Sequence, residues 1–129
     1  MKLTALGAVL ALLASSTSTV AAVELVSINI VDAPRPQEKW GYAPAMRRIQ
    51  PDTWVTWSNN GQDAHTVTAA DGSFDSGNLD PSEGFSWYFD QSGTFEYVCA
   101  LHPWMSGKIV VGDGVAPTPA PDPDPQSDQ

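Results

Sequence analysis

Among 129 residues there is one cysteine, Cys99, and there are two histidines, His65 and His102. His102 follows Cys99 by three residues and Met105 follows His102 by three, within the run Tyr97-Val98-Cys99-Ala100-Leu101-His102-Pro103-Trp104-Met105. A thiolate, an imidazole and a thioether therefore share one tight loop, and His65 is the other imidazole the chain can bring to them. Thiolate and thioether are soft donors that favour Cu(I), while imidazole accepts either oxidation state. Two His and one Cys with a weak axial Met form the donor set of a blue-copper electron-transfer site. Single Cys and Met residues are more commonly core fillers. Here the sole Cys, one of only two His and a Met fall at equal spacing, and packing alone gives no reason for that pattern.

A loop of this kind needs rigid flanks. Thr94-Phe95-Glu96-Tyr97-Val98-Cys99 alternates as a strand does, and Ser106-Gly107-Lys108-Ile109-Val110-Val111 resumes one directly after Met105. Period-two alternation puts Phe95, Tyr97 and Cys99 on one face, with Glu96 and Val98 on the other. Cys99 thus stands at a strand end, and Pro103 stiffens the turn that returns His102 and Met105 toward it. Turn chemistry recurs about every ten residues, as in Asp32-Ala33-Pro34-Arg35-Pro36, Asn59-Asn60-Gly61 and Asp71-Gly72-Ser73. The pieces between are short and rich in Val, Ile, Thr and aromatics. The clearest expected strands are 23–31, 53–58, 65–69, 85–89, 94–99 and 108–111. No helical period persists after the N-terminal segment, so many short antiparallel strands in an all-β sandwich or barrel are expected. Trp40, Trp54, Trp57 and Trp87 read as packing groups, and Trp104 as part of an exposed apolar collar around His102.

The stretch from about Asn29 to Val111 resembles the cupredoxins, in particular the small type-1 copper proteins of the plastocyanin, pseudoazurin and amicyanin group. The resemblance is carried by Asp52-Thr53-Trp54-Val55-Thr56-Trp57-Ser58-Asn59, Ala64-His65-Thr66-Val67, Phe74-Asp75-Ser76-Gly77 and Gly93-Thr94-Phe95-Glu96-Tyr97, then Cys99, His102 and Met105. The short C-x2-H-x2-M spacing is most like amicyanin. The resemblance implies a Greek-key β-sandwich of about eight strands. It also implies one copper cycling between Cu(I) and Cu(II) on His65, Cys99, His102 and Met105, with His102 as the solvent-facing electron port. Val98 directly before the Cys argues against a second port there. Gly61 and Ala64 depart from the pattern, standing where an acidic residue and a Pro are common, and Thr66 stands where several members have Asn. These changes bear on how the loop of His65 is tied to the loop of Cys99.

The N-terminus carries Met1-Lys2, an apolar run of about a dozen residues and the small residues Val20-Ala21-Ala22. That is the pattern of a secretory signal peptide over 1–22, too short to span a bilayer. It directs the expectation to export, most simply into a bacterial periplasm, with no membrane span after cleavage. Residues 23–113 then form one domain. Residues 114–129 place Pro at alternate positions among Asp residues and are expected to be a disordered, polyproline-like tail. One Cys permits no internal disulfide, and a metal bond would protect the thiol in an oxidising compartment.

The formal charge of −9 becomes −10 once Lys2 is removed with the leader. Such acidity disfavours nucleic acid and anionic membranes and suits brief docking of a monomer onto a basic face of a redox partner protein around His102. The function expected is that of a one-electron carrier and not an enzyme. A periplasmic copper-holding or copper-delivery protein using the same ligands is the alternative. A thiol enzyme with Cys99 as nucleophile is the weakest reading, since a nucleophile needs no Met behind its His and no orienting group is evident.

Overall fold

The computed structural model describes residues 24–118, together with 7 and 14–16. The signal-peptide expectation for 1–22 and most of the expected tail lie outside the described residues. Eight strands are present: β1 (Glu24–Val31), β2 (Gly41–Ala43), β3 (Met46–Ile49), β4 (Thr53–Asn59), β5 (Thr68–Ala69), β6 (Gly84–Phe89), β7 (Gly93–Val98) and β8 (Ser106–Val111), with a 3-10 turn at Gln37–Lys39. They form two four-stranded sheets, ordered β2-β1-β4-β6 and β3-β8-β7-β5. The all-β sandwich expectation holds.

Pairing is not purely antiparallel, as the sequence reading had it. β1 runs parallel to β4, from Glu24 opposite Thr53 to Ile30 opposite Asn59, and β3 runs parallel to β8. Parallel neighbours require long crossover connections in place of hairpins, and here the chain crosses between sheets to make them. The expected strand over 65–69 is also shorter. Only Thr68–Ala69 is strand, and His65 makes an isolated bridge to Leu79. The short edge strands β2 and β3 carry little alternation and were not among the clearest expected strands.

Alternation decides the core. In β1 the inward residues Val26, Ile28 and Ile30 are buried while their neighbours are exposed, and β4 buries Val55 and Trp57 by the same rule. The facing sheet contributes Tyr97, Ile109 and Val111. Gly107 is dictated by this packing, because a Cβ there would lie 2.3 Å from the Tyr97 ring. The tryptophans divide. Trp57 is wholly buried, and Trp54 lies partly exposed on the outer face of its sheet against Tyr88. Trp87, opposite the inward Val55, packs on Phe74 and Phe85 and is partly exposed on the edge strand β6.

Candidate metal centre

The loop after β7 consists of two successive tight turns. The His102 amide donates to the Cys99 carbonyl at 3.2 Å, the Met105 amide donates to the His102 carbonyl at 2.8 Å, and the Cys99 amide closes the loop onto the Met105 carbonyl at 3.1 Å. Each turn advances three residues and closes on itself, which is the physical content of the C-x2-H-x2-M spacing. Cys99 and Met105 are wholly buried, and His102 is half-buried at the rim.

His65 approaches from the other side. Its backbone is fixed to Leu79 by a reciprocal pair of hydrogen bonds of 3.0 and 2.7 Å. Thr66 joins the two loops. Its amide donates to the Cys99 Sγ at 3.3 Å, its Oγ1 accepts from the Ala100 amide at 2.7 Å, and its carbonyl accepts from the buried Tyr42 hydroxyl at 2.6 Å. The departure noted at position 66 thus keeps the two loops joined through a hydroxyl.

The result is a triangle of donor atoms. Cys99 Sγ lies 3.5 Å from His102 Nδ1 and 3.9 Å from His65 Nδ1, and the two nitrogens are 3.2 Å apart. A point equidistant from all three falls roughly 2.1 Å from each, within the usual range for bonds from imidazole nitrogen and thiolate sulfur to a transition metal. These three are the one cluster of metal-binding side chains of the His, Cys, Asp and Glu types found among the described residues. With the thioether of the buried Met105 held next to them by the loop, the residues present fit a type-1 copper ion.

Two further residues at the centre were not expected from the sequence. Asp32, just past β1, is buried, and its Oδ2 lies 2.7 Å from His65 Nε2. The same carboxylate accepts from the amides of Gln62 and Asp63 at 2.8 to 3.0 Å. Burial alone raises the Asp32 pKa, but these hydrogen bonds, with the His65 bond foremost, outweigh burial and hold it below the ordinary carboxylate value of 3.8. Asn59 shapes the loop that supplies those amides, donating to the carbonyls of Asp63 and Leu79 and accepting from the Gly61 amide. Gly61 is required, since a Cβ there would lie 2.2 Å from Asp32 Oδ2. In the sequence Asp32 looked like ordinary turn chemistry beside Pro34, and the glycine at 61 was its single trace.

The other is Trp40, whose ring meets that of His102 edge-on at 5.3 Å and that of His65 at 6.1 Å. Trp104 lies 5.3 Å from His102 on its other side and is 49% exposed, as the collar reading expects. Its indole N–H donates to the Gln37 carbonyl at 2.7 Å, pinning it to the 3-10 turn. Leu101, 45% exposed, extends this apolar rim.

No family model matches the chain. Amicyanin-alpha of Methylorubrum extorquens is 33% identical over 69 residues, a match that spans 50% of this chain and 58% of that relative. Among solved structures, a purple cupredoxin from Nitrosopumilus maritimus superposes with a TM-score of 0.62 at 26% identity, covering 67% of this chain and 99% of the other. An amicyanin variant in its Cu(I) form gives 0.60 at 24% identity, covering 70% and 85%, and this second likeness speaks for the fold alone. Taken with the donor triangle and the two closed turns that carry it, these likenesses show the fold of the cupredoxins and a sequence similarity to amicyanin over half of this chain.

Proposed function

We infer that the protein is an exported one-electron carrier that holds a single type-1 copper on His65, Cys99, His102 and axial Met105, and exchanges electrons with redox partner proteins at the face around His102. The observation that carries this reading is the donor triangle, with sides of 3.2 to 3.9 Å, already drawn together by backbone hydrogen bonds. When bound there, copper would supply a Cu(II)/Cu(I) couple, and a donor set of two His, one Cys and one Met suits both states.

The chain's own residues do the rest. Thr66 directs its amide at the Cys99 sulfur and so tempers the thiolate's donation. Burial of Cys99, His65 and Met105 excludes water from the donor atoms. His102, half-buried between Trp40 and Trp104, is the one donor that reaches the rim, and the apolar surface of Leu101 and Trp104 suits a small, brief contact. A copper-delivery protein would have to surrender its ion readily, and the interlocked cradle of Cys99, Thr66 and His65 favours retention. The apolar run over 1–22 supports export to the periplasm, and among the described residues no helix is long and apolar enough to cross a membrane.

Optical titration tests the reading. Purified protein loaded with Cu(II) is expected to show an intense blue or violet thiolate-to-copper band, which Cys99→Ser abolishes. A folded wild-type Cu(II) complex without that band would sink the assignment.

A further inference from the structure

Asp32 is an anion in an unusual place. It is 2% exposed, and the one titratable side chain found bonded to it among the described residues is His65. Placing an anion out of water costs several kcal/mol unless hydrogen bonds compensate, and here they come from Gln62, Asp63 and the His65 ring. The surrounding loop is built to receive it, since Gly61 leaves the space the carboxylate fills and Asn59 holds the turn that aims the amides. Such an arrangement serves more than loop closure. An ionised carboxylate can only accept, so the His65 nitrogen facing it carries the proton. The other nitrogen, Nδ1, is left with its lone pair directed at the Cys99 and His102 donors.

Charge follows the same line. A Cu(II) ion with one thiolate leaves a net charge of plus one, which the Asp32 carboxylate cancels through the imidazole. After reduction the same group stands beside a centre already neutral. A fixed anion at this position therefore favours the oxidised state.

We propose that Asp32 is a positioning residue of the centre: it locks His65 in the tautomer with the proton on Nε2 and Nδ1 free, and its charge holds the reduction potential down. The proposal rests on the metal assignment above, and its test is arranged so that the two fail separately. Nitrogen-15 NMR of the metal-free wild-type protein reads the tautomer without copper. Protonated Nε2 and bare Nδ1 are expected for His65, and a proton on Nδ1 overturns the proposal even if the protein turns blue on loading. A colourless Cu(II) protein defeats the metal assignment and leaves the tautomer result standing.

Two variants then separate position from charge. Asp32→Asn keeps an acceptor and removes the charge. It should weaken Cu(II) binding about tenfold more than Cu(I) binding, a rise in potential of about 59 mV for one electron. Asp32→Ala should admit the second tautomer in metal-free protein and weaken Cu(II) binding by about 10- to 100-fold. Asp71→Asn removes the same charge from an exposed turn and serves as the control. A potential unchanged in Asp32→Asn, or moved as far by Asp71→Asn, overturns the proposal. The wild-type tautomer needs no variant, so the test survives a mutant that fails to fold.

Discussion

The two histidines of the centre face each other across 3.2 Å, yet they sit in opposite surroundings. His65 is wholly buried, its backbone is bridged to Leu79 and its outer nitrogen is tied to a buried carboxylate. His102 lies on the seven-residue loop between β7 and β8, half-buried, with aromatic edges and faces on the outer side of its ring. One residue type thus fills two jobs, and the neighbours make the difference. Hydrogen bonds to backbone and ring alike hold the first in register, while the second is hydrogen-bonded through its backbone and its ring is steadied on the outer side by aromatic packing at the rim.

The sharpest way to break this contrast is truncation in metal-free protein. His65→Ala should cost about 1–3 kcal/mol, because it takes one hydrogen-bond donor from the buried Asp32 carboxylate, whereas His102→Ala should cost less than about 0.5 kcal/mol. Urea denaturation midpoints measure both, and equal losses would show that the two sides are not distinct. The link between the sides comes next. Thr66→Val removes the acceptor of the Ala100 amide and should cost about 1–2 kcal/mol while shifting the charge-transfer band. Thr66→Ser, which keeps the hydroxyl, should restore both.

Hydrogen exchange sharpens the same contrast. His65 Nε2 is held by a buried carboxylate, while the outer side of the His102 ring is open to solvent at the rim. Raising the pH in deuterated buffer should therefore exchange the His102 ring N–H quickly and the His65 Nε2–H slowly, as proton NMR reads. Equal exchange would show that the two rings are equally sheltered. The smallest effect lies away from both. The Tyr97 hydroxyl is buried without a hydrogen-bond partner among the described residues, so Tyr97→Phe should alter stability at pH 7 by less than about 0.5 kcal/mol. Burial pushes that phenol up to about 12. Its pKa is higher folded than unfolded, so its contribution is intact below about pH 10 and is lost as pH rises toward the folded value. The Phe variant has no phenol to ionise and should gain on wild type in alkaline urea melts.

Much of this centre was legible in the chain because its signals are local. Cys99, His102 and Met105 sit in one loop whose three-residue steps are two turns, and alternation in the flanking segments placed that loop at a strand end. The long-range features were not legible. Nothing near Asp32 announces that it will meet a residue 33 positions later, since Asp before Ala-Pro has the composition of any turn. The parallel pairing of β1 with β4 and of β3 with β8 depends on how crossovers pack, and edge strands such as β2 are too short to show a period. Trp40 packs against the core as its sequence suggests, but only the fold carries it over the two imidazoles.

Asp32 leaves the first sheet at the end of β1, Cys99 leaves the second at the end of β7, and His65 bridges the space between. A metal seated on this triangle is consequently a clasp on the open edge of the sandwich, engaging the native pairing of the sheets and absent from the unfolded chain. At free copper a thousandfold above the dissociation constant, such selective binding adds about 4 kcal/mol to folding. The charge-transfer band expected of the copper-loaded protein would then double as a gauge of its architecture, fading when the two halves part, whichever strand gives way first.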